Sequence, residues 1–409
     1  MVACATAAPL SLLAQFLAPL KGRLAAERSN QPFIGSSAPN LPGVTKRHIA
    51  YLACSAALCG SLLGAAPATS SHGVLTVHPG QSIQKAVDAA APGDTVLVLA
   101  GTYHESVKVT TPGLTLRGMG PDTVLEPVKK SKKAMKAMNG TKKTAVKSCA
   151  EMGNGICVVG AKNQPVEDVT IAHMTVTGFS RTGVMAVGTS NLHVHGVAAV
   201  KNGQWGLAEE RAVHSMYQNN IARDNGDAGI FLANSVTAEK GAADTFGTVV
   251  EHNILEKNRI GVTVRRLRNL TVSDNSVTGN CAGVFVVGDE NKPKAGKLTV
   301  ADNQVVKNNK YCKKTARLSF LQGSGIVLTG TESTLVTGNT VTGNSGKSPL
   351  SGGVVVFKSF VGVTSDKNQI TRNKLSGNAP ADLVNQEASK HGNAFKDNSC
   401  KKSKPAGLC

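Results

Sequence analysis

The sequence predicts an all-β chain wound as a single-stranded, right-handed parallel β-helix, a solenoid closed at its N-terminal end by a capping helix. Three observations predict it. From residue 168 onward one pattern recurs at spacings of 22 to 36 residues, the mark of a repeat architecture. Aromatic residues are 4% of the chain against 41% hydrophobic residues in all, which suits thin layers of small aliphatics. The chain has 409 residues, enough for about two or three globular domains. A solenoid needs no such division, because its core grows with repeat number.

Residues 1–68 read as an upstream extension with a signal peptide at about 44–68. Lys46-Arg47-His48 precedes an apolar run from Ile49 to Leu63 and then Ala66-Pro67-Ala68, the charged, apolar and small-residue parts of an export signal. A membrane anchor is the alternative, but the run is short and broken by Ser55, Gly60 and Ser61. Export predicts a secreted, extracellular protein with no transmembrane segment after cleavage. Val44 is a candidate initiator, and Cys54 and Cys59 lack the setting of a lipidation site.

Residues 69–126 read as the N-terminal cap and first coils. Ser82 is an N-cap candidate for a short amphipathic helix running to Ala90. Pro92-Gly93-Asp94-Thr95 then makes a turn, followed by strands at Val96–Leu99 and Leu114–Gly118. Residues 127–167 form a Lys-rich insertion that contains a disulfide, residues 168–398 the repeats, and residues 399–409 a disulfide-closed tail.

Each repeat is an apolar strand, Asn, four residues, Asn, and a Gly-led strand of alternating apolar residues. The Asn pairs are 220/225, 253/258, 275/280, 303/308, 339/344, 368/373 and 393/398. Asn tolerates a left-handed corner and can bond to identical side chains above and below, so these residues predict a structural ladder rather than ligands. Alternation after each Gly sends every second side chain into the coil. Without the three cysteines that lie in or before the export signal, six remain, an even number consistent with disulfides. Cys281 follows Asn280 and Cys312 follows Asn308, so both fall at one corner of adjacent coils. The expected bridges are Cys149–Cys157, Cys281–Cys312 and Cys400–Cys409.

Pro79-Gly80-Gln81-Ser82-Ile83-Gln84, Pro92-Gly93-Asp94-Thr95 and Gly101-Thr102-Tyr103 resemble the start of pectin-lyase-like right-handed β-helix proteins. That group includes pectate lyases, mannuronan epimerases and the β-helix protein of nitrous-oxide-reductase maturation. The resemblance runs from residue 74 to about 398 and implies the fold; a fold alone does not imply an activity. In the enzymes of this group, catalytic groups project from one stacked sheet into a groove, and the epimerases carry Asp-Pro-His-Asp on the Gly-led strand. No strand here holds that Asp/His pair. Gly261-Val262-Thr263-Val264-Arg265-Arg266 places Thr and Arg there instead.

Two uses of the outward face compete. An enzyme reading, a polysaccharide lyase, epimerase or hydrolase acting on uronic acids, would draw on Glu210, His214, His252 and Arg265 for proton transfer and carboxylate neutralisation. The plainer alternative is a solvated charge cluster. A binding reading uses Phe231 and Phe285, two coils apart, for stacking on sugar rings, with Arg265 and Arg266 for carboxylates. Its plainer alternative is that the insertions at 234–247, 288–297, 309–324 and 345–352 bury these Phe residues. Removing residues 1–68 leaves 40 basic and 25 acidic residues, a net charge of +15, which attracts polyanions. The densest run, Lys129 to Lys147, has no interleaved aromatics, so no specific nucleic-acid partner follows. Asp224 and Asp227 resemble a calcium turn but lack the terminal Glu, so an Asx turn is expected. Neither a metal nor another cofactor is predicted. These residues point to a monomer whose partner is an anionic polysaccharide or cell-wall polymer, with a wall-associated scaffold as the third reading.

Overall fold

The computed structural model describes residues 72–128, 148–161, 163–316 and 318–409. The export segment and residues 129–147 of the Lys-rich insertion lie outside the described residues. All strand pairing between successive coils is parallel, in sheets of 14, 10 and 11 strands. Each coil contributes one strand to each sheet in turn. The register is unbroken where the repeat is regular: Ile230 pairs Val262, Val262 pairs Val284, Val284 pairs Ile326 and Ile326 pairs Val354. These side chains are fully buried, so the core is a set of aliphatic columns one residue wide.

The Asn ladder is double and fully bonded. Asn253 Nδ2 donates to Asn275 Oδ1 at 2.9 Å and to the Tyr217 carbonyl at 2.9 Å, while its Oδ1 accepts the Asn220 amide at 3.0 Å. The same pattern carries Asn258 to Asn280, Asn308, Asn344 and Asn378. Two details differ from the sequence reading. The left-handed backbone falls on the residue before the ladder Asn, as at Asn219, Asp224, His252, Lys257 and Asp274, so that the Asn side chain can turn inward. The last coils are also re-registered. Asn373 and Asn378, not Asn368 and Asn373, continue the ladders from Asn339 and Asn344, and Asn368 starts a separate rung to Asn393.

Close approach explains the Gly that leads each strand of the third sheet. A Cβ on Gly261 would lie 2.4 Å from Val277 Cγ1 and 2.7 Å from the Gly283 carbonyl oxygen, and one on Gly325 would lie 2.2 Å from the Gly353 oxygen. Only glycine lets these corners stack at coil spacing.

Helix α1 (Ile83–Ala89) closes the N-terminal end, with Ser82 accepting the Lys85 amide and Ile83 and Val87 buried. Glu105 accepts the Ile83 and Gln84 amides at 2.7 and 3.1 Å. The Gln84 side chain pairs with both backbone groups of Lys108, which caps the open edge of the third sheet with a carboxamide. At the other end, Ser403–Lys404 adds a last strand to Leu383–Asn385. The three disulfides join Cys149–Cys157, Cys281–Cys312 and Cys400–Cys409, with Cα separations of 5.8, 6.0 and 5.3 Å. Among the described residues no helix is long and apolar enough to cross a membrane.

Candidate functional site

The outward side of the third sheet presents two columns set by the strand register. One runs Ala208, Phe231, Thr263, Phe285, Val327, Val355; the other runs Glu210, Ala233, Arg265, Val287, Thr329, Phe357. Over them lies a cleft of about 980 Å³. Phe231, Thr263, Phe285, Thr329 and Phe357 form its floor. One wall is built from Thr315, Ala316, Leu318 and Leu350, the other from Val236, Thr237, Glu239, Asp289, Glu290 and Ser359–Val361. The walls are insertions at the two ends of the strands. They cover the floor so closely that Phe231, Phe285 and Phe357 are 7%, 6% and 5% exposed. The insertions thus bury these Phe residues, as the plainer alternative held, and leave a cleft above them.

Trp205 anchors the lower end. Its ring stacks on Phe231 at 4.2 Å and 9°, and its indole N–H donates to Asp227 Oδ2 at 3.1 Å. Asp227 also faces Arg259 at 3.8 Å. Desolvation pushes the Asp227 carboxyl above its ordinary value, against the Trp205 hydrogen bond and the Arg259 charge, which pull it down. Arg259 donates to the Lys313 carbonyl at 2.7 Å, and Cys281–Cys312 fastens the same insertion to the floor. At the upper end, Phe360 packs on Phe357 with centroids 4.8 Å apart and is itself 64% exposed.

Of the residues singled out in the sequence, Phe231, Phe285, Arg265 and Arg266 line this cleft. Arg265 donates to the Val236 carbonyl at 3.2 Å. Arg266 corrects its sequence reading: it is 1% exposed and holds a wall, bonding Asp289 at 3.0 Å and the Ser235 and Ala238 carbonyls at 2.9 and 2.8 Å. Glu210, His214, His252 and Arg265 do not assemble into one catalytic group. Glu210 pairs with Arg211 at 2.7 Å, outside the cleft lining. His214 and His252 sit at left-handed residues of two different coil corners, one between the third and first sheets and one between the first and second. His214 stacks on Phe246 instead. A left-handed corner turns its side chain out of the column, which an alternating strand pattern cannot reveal.

Trp205, Asp227 (read as a turn residue) and Arg259 were missed as site residues. The only signal for them was the chain's single Trp standing just ahead of a Gly-led strand.

Two family profiles match: "Right handed beta helix region" over residues 138–305 and "Periplasmic copper-binding protein (NosD)" over residues 241–408. No curated protein matches the chain. Among solved structures, the A-module of a mannuronan C-5 epimerase from Azotobacter vinelandii is 19% identical with a TM-score of 0.51, covering 78% of this chain and 90% of its own. An alginate lyase from a Paenibacillus species is 14% identical with a TM-score of 0.50, covering 81% of this chain and 99% of its own. The chain therefore has the pectin-lyase-like, right-handed β-helix fold.

One profile's description names copper. Among the described residues no group of three or more His, Cys, Asp or Glu side chains is placed to hold a metal, and the six described cysteines are all in disulfides. The densest imidazole group, His173, His193 and His195, packs ring against ring, at 4.7 Å and 87° and at 4.5 Å and 35°. These rings fill space against one another instead of converging donor atoms on one point.

Proposed function

We propose that the protein is a secreted β-helix protein that binds an anionic polysaccharide or cell-wall polymer, with a stretch of the polymer lying in the third-sheet cleft. The observation that carries this reading is the cleft itself. It is an elongated groove crossing five successive strands, about 19 Å at the strand spacing, with aromatic side chains in its floor and at both ends. A linear glycan has the matching form: apolar C–H faces to stack on rings and hydroxyls for the rims. The mature charge of +15 supports attraction to an acidic polymer by long-range electrostatics.

The test is binding of the mature protein to polysaccharides on an array and in pull-downs at about 0.05 M salt, where exposed charges are weakly screened. Phe231→Ala is expected to weaken binding about tenfold, or about 1.4 kcal/mol. Failure of the protein to bind any acidic polysaccharide overturns the reading.

A further inference from the structure

Charge is distributed unevenly between the molecule and its cleft. Although the mature chain is strongly basic, the cleft lining holds three guanidinium groups, Arg259, Arg265 and Arg266, against four carboxyls, Asp227, Glu239, Asp289 and Glu290. Two of the guanidinium groups are committed at both terminal nitrogens, and the third is bonded through one of them. Arg259 spans Asp227 and two carbonyls of the wall, those of Lys313 and Ser319. Arg266 places one terminal nitrogen on Asp289 and the other on two carbonyls, and Arg265 bonds to the Ser235 and Val236 carbonyls. Bidentate capture of a carboxylate needs a guanidinium edge with two N–H groups to spare. The wall insertions also carry Lys240, Lys292, Lys313 and Lys314, none of which lines the cleft.

The unpaired carboxyls sit on the rim. Glu239 and Glu290 are exposed and form no ion pair within 4.0 Å among the described residues. In the floor, Thr263 stands between Phe231 and Phe285, 6% exposed, and its hydroxyl has no partner among the described residues. The other orphan along the cleft, Arg266 Nε, offers a single N–H and no fork. A buried polar group without a partner is costly, and a ligand hydroxyl is the group that can both accept from and donate to a threonine hydroxyl.

We propose that the sugar residues lodged in this cleft are uncharged: a neutral glycan segment, stacked on the Phe floor and hydrogen-bonded through its hydroxyls to Thr263 and to the Glu239 and Glu290 carboxylates. This inference rests on the polysaccharide-binding reading and narrows it. Acidic parts of the same polymer are then held by the basic surface outside the cleft. A uronate in the cleft would bring a carboxylate against a rim of like charge, and among the described lining residues Arg259 and Arg266 are already engaged by the protein.

The experiment measures affinity of the mature protein for two soluble probes sets, neutral polysaccharides (a β-glucan, a mannan and a xylan) and uronate homopolymers (alginate and polygalacturonate), at low and high salt. Phe285→Ala tests the floor. Glu290→Gln, an exposed change with little risk to folding, tests the sign of charge at the rim. The expected result is that a neutral probe binds with less than about a twofold change across the salt series and loses about tenfold or more in Phe285→Ala. Glu290→Gln then weakens it or leaves it unchanged. Uronate binding falls steeply with salt and ignores both substitutions.

The inference is overturned if uronate affinity drops in Phe285→Ala and rises in Glu290→Gln, for that places the acidic sugar in the cleft; the broader reading then survives. Should no probe of either kind bind, the broader reading fails as well. A Phe285→Ala protein that does not fold leaves the Glu290→Gln response of each probe to decide between the two.

Discussion

Glu209 is the residue that fits its place least. It occupies an inward position in the third sheet, between Ala186 and Leu232, in a column otherwise filled by Val158, Val264, Val286, Leu328 and Val356. It is 1% exposed and accepts a hydrogen bond from the Tyr217 hydroxyl at 3.1 Å. Burial raises its carboxyl from the ordinary 4.5 to about 7, and it drives the Tyr217 hydroxyl upward as well. The folded state thus holds the Glu209 proton more tightly than the unfolded chain does. Its effect on stability is neutral below about pH 4.5, turns unfavourable as pH rises, and is complete above about pH 7. Full development of the shift amounts to about 3 kcal/mol at about 1.4 kcal/mol per unit. Glu209→Gln, followed by chemical denaturation, is expected to gain up to that amount at pH 8.5 relative to pH 5. A parallel pH dependence in both proteins would show that Glu209 does not titrate in this range. The Gly206 anchor and a period of two set Glu210 outward and so Glu209 inward, but the sequence does not disclose that Tyr217 meets it there.

At the level of elements, the ladder and the sheet face were legible and the walls were not. The outward columns followed from a Gly anchor plus a period of two, and the register bears them out residue by residue. The ladder failed at one place for a definite reason. Asn368, Asn373 and Asn378 are equally spaced, so two pairings are possible, and only the first-sheet strand Gln369–Thr371 decides between them. The insertions have no period at all, so their path over the floor, and with it Trp205, Arg259 and Asp227 as cleft residues, lay outside what pattern can reveal. The ladder itself predicts a position-dependent cost. Asn280→Ala removes the acceptor for the Asn258 amide and side chain and the side-chain donor to the Leu255 carbonyl, in a fully buried setting. Two or three orphaned groups at about 1–3 kcal/mol each place the loss at several kcal/mol. Asn398→Ala, at the half-exposed end of the other ladder, is expected to cost less than about 1 kcal/mol, because water can replace the lost bonds. Melting temperatures of the two variants check the gradient, and equal losses would refute it.

At the scale of the whole molecule, the third sheet has two terminal edges, and both are covered: by the Gln84 carboxamide at one end and by Ser403–Lys404 at the other. Deleting residues 400–409 bares the backbone of Leu383 and Val384. The expected outcome is association that grows with concentration, seen by light scattering, with the melting of the remaining coils little changed; a monomeric truncated protein would show that the tail guards nothing. One feature of the stack reaches further. The turn of chain from Asn253 to Asn275 uses 22 residues and that from Asn303 to Asn339 uses 36, yet both close on the same carboxamide bond at 2.9 Å. Surplus length is shed sideways at a vertex without lifting one layer from the next. Evolution can therefore recut the grip of such a protein by splicing new segments at the vertices, and an engineer can do the same, while the scaffold beneath keeps its spacing and most of its stability.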